Sequence, residues 1–315
     1  MDISEQLNAK NVTGEEVEPF LELTPALVQK RRSQARIIFD RFLRNRAAIG
    51  GAIFLIVLFV LCWFGPIAWR IDPNQINVLD VSAQQAPPSL AHPLGTDDVG
   101  RDTLARALAG GRVSLSVGLL SMALAIVFGV GIGAFAGYYG GAVDNILMRF
   151  TDVILAVPLY LLLFVLSASF TDGTPRSVVL LIALFGWTYA ARLVRGEFLA
   201  LKEREYVLAS RTIGAKNFRL MFRHMLPNAA GPIIVNATLL IGINIILESV
   251  LSYFGFGIKP PDASWGVMIS VGQGLFAVDP WLVIVPGFLI FFTVLSFNLV
   301  GDGLRDALDP HMTER

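Results

Sequence analysis

Six long apolar stretches separated by polar segments organise the chain. They run over 47–69, 113–138, 146–170, 177–199, 229–255 and 281–301. Each is close to the ~20 residues a helix needs to cross a bilayer. The pattern predicts an all-α integral membrane protein with six transmembrane helices. Before the first span, Ile37, Ile38, Phe39, Phe42 and Leu43 alternate with Arg36, Asp40, Arg41 and Arg44. That spacing predicts a basic helix over 30–46 lying in the membrane interface; the polar start of the first span is the alternative. Residues 1–29 are polar and acidic, are not a signal peptide, and are expected to be a disordered tail.

Basic residues orient the spans. Lys30, Arg31, Arg32, Arg36, Arg41, Arg44 and Arg46 precede the first span, and Arg192, Arg195, Lys202, Arg204, Arg211, Lys216, Arg219 and Arg223 fill the segment after the fourth. The stretch 171–176 holds only Arg176, and 256–280 only Lys259. Both sets agree with cytoplasmic N- and C-termini. The expected plan is an external loop over 70–112, a core of five helices over 113–301 with a cytoplasmic loop at 204–227, and a cytoplasmic tail over 302–315.

Composition fits that plan. Hydrophobic residues make up 54% and charged residues 16%, against roughly 25% charged in soluble domains. Mean hydropathy is +0.62, so the excess apolar surface is expected to face lipid. The lone Cys62 lies in an apolar run and is read as a small core residue. Gly129, Gly131, Gly133, Ala134, Ala136 and Gly137 cluster near the end of span two, where small residues let helix backbones approach closely. Pro158 and Pro286 are expected to kink spans three and six. Arg149 and Asp152, three apart, are expected to pair on one helix face.

The loop Arg204–Pro227 carries the most specific pattern. Glu205 to Arg211 is expected to be helical, with Tyr206, Leu208, Ala209 and Ile213 available for one face. Gly214 is expected in the left-handed conformation that ends a helix. A second short helix is expected from about Asn217, and Pro227 suits the start of span five. By basic charge alone this is an ordinary positive-inside loop. Yet Ala209 and Ser210 precede Gly214, and Leu226-Pro227 follow it, at the spacing Glu-Ala-Ala-x3-Gly-x9-Ile-x-Leu-Pro. That resembles the coupling loop of ATP-binding-cassette importer permeases. Leu208, Ser210 and His224 stand where the motif has glutamate, alanine and isoleucine, so a salt bridge from the motif glutamate is either absent here or supplied by Glu205.

Further segments extend the resemblance. His92-Pro-Leu-Gly-Thr-Asp97-Asp-Val-Gly-Arg101-Asp102, Leu251-Ser-Tyr-Phe-Gly255-Phe-Gly257, Pro260-Pro261-Asp262-Ala-Ser264-Trp265-Gly266 and Asn298-Leu-Val-Gly301-Asp302-Gly303-Leu-Arg305-Asp306-Ala-Leu-Asp309-Pro310 follow in order over 92–310. They are similar to the dipeptide/oligopeptide/nickel permease family, most of all to its "C" subunit. The resemblance implies the type I ABC importer transmembrane-domain fold in a prokaryotic cell membrane. It also implies a homologous "B" permease, two ABC ATPases that bind ATP and Mg, and an extracytoplasmic solute-binding protein as partners, with no cofactor in this chain and no nucleic acid. ATPase coupling is then expected at Glu205, Ala209, Ser210, Arg211, Gly214, Ala215, Leu226 and Pro227. Di- or oligopeptides are the implied cargo; nickel chelates, glutathione and some sugars are carried by close relatives.

Other chemistry is sparse. Asp97, Asp98, Arg101 and Asp102 read as helix caps and ion pairs rather than as metal ligands. Glu248 in span five is expected to face the bundle or a water-filled path and to find a donor, either Asn244 on the same helix or a group on the partner subunit; Asn244 and Glu248 are the candidate substrate-pathway residues, with packing glue the alternative for Glu248. The chain lacks a G-x-x-x-x-G-K-[ST] phosphate loop and so is not read as the motor. An ion-gradient-driven transporter would predict internal repeats and embedded acid relays, and a membrane enzyme would need paired catalytic residues; neither pattern is found.

Overall fold

The computed structural model describes residues 34–76, 83–170 and 172–308. The expected 1–29 tail and the last residues of the expected C-terminal tail lie outside them. The α-helices among the described residues are α1 (Gln34–Phe42), α2 (Arg46–Trp69), α3 (Thr103–Tyr139), α4 (Gly141–Ala156), α5 (Leu159–Phe170), α6 (Pro175–Lys202), α7 (Glu205–Thr212), α8 (Asn217–Arg219), α9 (Leu226–Tyr253), α10 (Trp265–Gly272) and α11 (Trp281–Leu308). By length and composition, α2, α3, α6, the run Asn217–Tyr253 and α11 are five helices able to cross a membrane. The pair α4–α5 meets the same test together but bends by 85°.

The bend falls at Val157-Pro158, where a continuous span over 146–170 was expected. A proline disfavours helical backbone in the residue before it, and Val157 is extended at φ −88, ψ 133. The expected span over 113–138 also starts earlier, at Thr103. Asp102 caps it, accepting a hydrogen bond from the Ala105 amide at 2.6 Å. Hydropathy conceals these first turns because Arg106 and Arg112 interrupt them, while Ala105, Ala107, Gly110 and Gly111 are buried.

The α3–α6 contact depends on small residues. A Cβ on Gly129 would meet the Trp187 carbonyl oxygen at 2.9 Å. On Gly133 it would meet Val194 Cβ at 2.8 Å, and on Gly137 the Arg195 carbonyl oxygen at 2.7 Å. The four-residue spacing places all three on one face. Gly131, on another face, has nothing within 4 Å. Two ion pairs clamp α4 to α6: Arg192 with Asp152 at 2.6 Å, and Arg195 with Asp144 through two hydrogen bonds. The expected Arg149–Asp152 pairing is thereby corrected, because Asp152 faces α6 and Arg192 reaches it.

At the opposite end from the α7–α8 loop, Trp265 is fully buried and donates from Nε1 to the Ala107 carbonyl at 3.1 Å. This joins α10, a short helix without an apolar-span signal, to the early turns of α3. Asp97 accepts from the Arg101 side chain at 2.6 Å, and His92 Nδ1 lies 2.7 Å from Asp102. These acidic residues act as caps and ion-pair partners.

Candidate functional site

The loop between α6 and α9 protrudes as two short helices around a glycine. Gly214 has φ +85, the left-handed conformation the sequence predicts. It lets the Gly214 amide donate to the Arg211 carbonyl at 3.0 Å and the Ala215 amide to the Ser210 carbonyl at 3.1 Å, closing the end of α7. The Ser210 hydroxyl donates to the Tyr206 carbonyl at 2.7 Å. The loop is seated through Val207, Leu220, Met221 and Met225, which pack with Ala134, Val194 and Phe198. Tyr138 Oη donates to Asn217 Oδ1 at 2.8 Å, fastening α8 to α3.

The outward face differs from expectation. Tyr206, Leu208, Ala209 and Ile213, expected to be available for one helix face, are all exposed, and Val207 is the residue of α7 that turns inward. Ile213 is 86% exposed and Phe218 68% exposed, so these two, more than Ala209 and Ser210, form the prominent apolar tip. Glu205, Ala209, Arg211 and Pro227 are exposed, Ala215 is half-buried, and Leu226 packs on the seating cluster. Ser210 and Ala215 border a groove of about 380 Å³ with Ile213, Arg219, Arg223 and His224. Partial burial raises the Tyr206 phenol above its ordinary value, with Arg204 pulling the other way.

Pro227 does not open a separate helix. The backbone runs unbroken from Asn217 to Tyr253, with a π-helical turn over Leu220–Met225 just before the proline. Widening the turn accommodates a residue that has no amide hydrogen to donate.

A second feature lies within the helices. A cavity of about 520 Å³ opens between the α4–α5 bend, α6 and α9. Asn244 lines it, whereas Glu248 does not. Glu248 is fully buried one turn further on. It accepts hydrogen bonds from Ser114 Oγ at 2.8 Å and Ser252 Oγ at 2.7 Å, so its partners are serines of α3 and α9 rather than Asn244. Asn236, not singled out by the sequence, lines the same cavity. An isolated asparagine in an apolar run carries little signal of which helix face it occupies.

Residues 129–314 match the family described as binding-protein-dependent transport system inner membrane component. Residues 33–88 match the N-terminal transmembrane domain of oligopeptide transport permease C. The chain belongs to this transport family. The permease is similar to the oligopeptide transport system permease protein OppC of Bacillus subtilis, 41% identical over 86% of this chain and 88% of the relative. It is 40% identical to the dipeptide transport system permease protein DppC of the same organism, over 86% of this chain and 84% of that one. It is 38% identical to the glutathione transport system permease protein GsiD of Pectobacterium atrosepticum, over 89% and 92% of the two chains. Among solved structures, the permease resembles a chain of the MetNI methionine ABC transporter. That match has TM-score 0.51 and 17% identity, and covers 64% of this chain and 95% of that one. The likeness gives the fold, that of a type I ABC importer membrane subunit.

Proposed function

We infer that this chain is one permease subunit of an ATP-driven importer, and that its cargo is di- or oligopeptides. The observation that carries the reading is the α7–Gly214–α8 protrusion. It is held on the helix bundle by a buried apolar base and presents Ile213 and Phe218 outward, as a part that engages another protein must. The peptide cargo is supported by the oligopeptide and dipeptide permeases it resembles. The likeness to a glutathione permease keeps a modified tripeptide within the same chemical class.

In this reading the bent α4–α5 pair completes six crossings, and both termini and the α7–α8 loop lie in the cytoplasm of a prokaryotic cell. A homologous "B" permease lies alongside. Two ABC ATPases bind ATP and Mg beneath the membrane, and an extracytoplasmic binding protein delivers cargo. Closure of the ATPases moves the protrusion, and the spans alternate between outward- and inward-open states.

The test is reconstitution of this chain with the B permease, the ATPases and the binding protein in liposomes. Labelled trialanine should accumulate only with ATP, and a cysteine at Ile213 should cross-link to an ATPase. Uptake by this chain alone, or an Ile213→Cys variant that cross-links to no nucleotide-hydrolysing subunit, would overturn the reading.

A further inference from the structure

The chain does not run straight from α1 into α2. Arg44 and Asn45 turn it: the Arg44 amide donates to the Arg41 carbonyl at 3.0 Å, and the Asn45 amide to that of Phe42 at 3.1 Å. Asn45 then caps α2, accepting from the Ala48 amide at 3.1 Å. Turned away from α2, α1 packs on the last turns of α11. A Cβ on Gly303 would meet the Phe42 ring at 3.2 Å, and Asn45 Nδ2 donates to Asp306 Oδ2 at 3.4 Å. α1 is thereby held beside the first turn of a 24-residue apolar helix, at the level where that helix enters a bilayer.

The contact with α11 leaves another side of α1 uncovered. Phe39 and Leu43, four residues apart and so on one face, are 60% and 47% exposed. Arg36, Arg44 and Arg46 are exposed as well. None of these three arginines is in an ion pair among the described residues. The stretch 30–46 carries seven basic residues against one acid, Asp40. On α11, Asp302 and Asp306 add two carboxylates, of which Asp306 faces Asn45.

Two large apolar side chains and three guanidiniums on so short a segment fit one kind of surface. Water would leave Phe39 and Leu43 uncovered, and hydrocarbon would leave the arginines unsolvated. A leaflet boundary satisfies both: acyl chains cover the apolar pair while the arginines stay at headgroup level. Charge then selects the headgroup. An arginine at the surface of an anionic leaflet gains about a fivefold preference over a neutral one.

We propose that the uncovered face of α1 docks anionic phospholipid, with Phe39 and Leu43 among the acyl chains and Arg36, Arg44 and Arg46 on the phosphates. Through Phe42 and Asn45, lipid held there also fixes the end of α11. The proposed function supplies only the choice of leaflet, the cytoplasmic one; the cargo does not enter.

The test attaches bimane to Ala47→Cys, an exposed position beside Arg46, in the importer assembled with cysteine-free partner subunits; the native Cys62 is buried. The vesicles are phosphatidylcholine with roughly one-third phosphatidylglycerol, and one lipid at a time carries a quenching nitroxide on its acyl chain. Labelled phosphatidylglycerol should quench about fivefold more per molecule than labelled phosphatidylcholine. Replacing Arg36, Arg44 and Arg46 together by Gln should bring the ratio to about one, and replacing them by Lys should keep most of it. Salt at about 1 M should lower the wild-type ratio by screening, which tests the proposal even where the glutamine variant does not assemble. Equal quenching by the two lipids at low salt overturns the proposal, and so does a ratio unchanged in the glutamine variant. Absence of quenching by either lipid also overturns it and puts a protein over α1. Labelled trialanine uptake is measured on the same vesicles. Uptake with equal quenching refutes the lipid surface and spares the peptide reading; selective quenching without uptake does the reverse.

Discussion

Arg195 holds Asp144 by two parallel hydrogen bonds, Nε to Oδ1 at 2.5 Å and Nη2 to Oδ2 at 2.6 Å. The planar guanidinium matches the carboxylate, and a lysine ammonium does not. Arg195→Lys should therefore destabilise the α4–α6 contact by ~1 kcal/mol despite keeping the charge. Thermal unfolding of the purified complex in detergent measures this, and an unchanged midpoint would contradict it.

Two glycines of α3 should behave oppositely. Gly133→Ala places a methyl 2.8 Å from Val194 Cβ and 3.0 Å from the Arg195 amide nitrogen. Backbone cannot give way as a flexible side chain does, so the cost should be about 1–3 kcal/mol. Gly131→Ala meets nothing within 4 Å and should be neutral or gain up to about 1 kcal/mol from helix propensity. The ranking of the two unfolding midpoints decides.

Gly214 is demanding in conformation, not in space. It has φ +85, and no atom lies within 4 Å of a Cβ built there. Gly214→Asn should be well tolerated, because asparagine enters the left-handed region more readily than other residues. Gly214→Val should strain the turn by roughly 1–3 kcal/mol and uncouple uptake from ATP hydrolysis. Equal transport by the two variants would show that the turn geometry is not needed.

Glu248 should tolerate amide replacement better than apolar replacement. Glu248→Gln keeps an oxygen for Ser114 or Ser252, whose hydroxyls lie 2.8 and 2.7 Å from the carboxylate. Glu248→Leu strands both hydroxyls and should cost about 1–3 kcal/mol. The amount of complex recovered from membranes and its unfolding midpoint report the difference.

The start of α6 should respond to acid. Asp172 accepts hydrogen bonds from the Thr174 amide and from the Ser177 and Thr174 hydroxyls, which lower its pKa from 3.8 to about 2. A lowered native value stabilises the fold above the unfolded value, and that contribution is lost as pH falls through the native one. Protection of the Thr174 and Ser177 amides against hydrogen exchange, taken relative to the intrinsic rate at each pH, should therefore fall between about pH 4 and pH 2. Asp172→Asn should abolish the pH dependence of that protection; an unaltered protection profile would count against the assignment.

The parts of this architecture legible in sequence are those set by local rules. Long apolar runs mark α2, α6, α9 and α11, and a glycine among polar residues marks the turn at Gly214. Pro158 announces a break, though not its 85° size, which depends on where α5 finds its packing. The opening turns of α3 stay hidden because Arg106 and Arg112 interrupt a stretch whose burial rests on alanine and glycine. Asp152 illustrates the same limit in pairing: Arg149 is near in sequence, but Arg192 is near in space. In the cavity, Asn244 could be singled out as a polar residue in a span. That Glu248 bonds to serines rather than to Asn244 depends on Ser114, which is 134 residues away along the chain.

The unbroken helical run from Asn217 to Tyr253 has a mechanical consequence. Arg219 at its exposed foot and Asn244 beside the cavity belong to one rod, about 37 Å apart at the helical rise. Between the foot and the cavity the rod carries a widened coil at Leu220–Met225 and a proline inside the helix, Pro232. Those are the two places where the rod departs from regular helical bonding, since a proline leaves a carbonyl of the preceding turn without its amide donor.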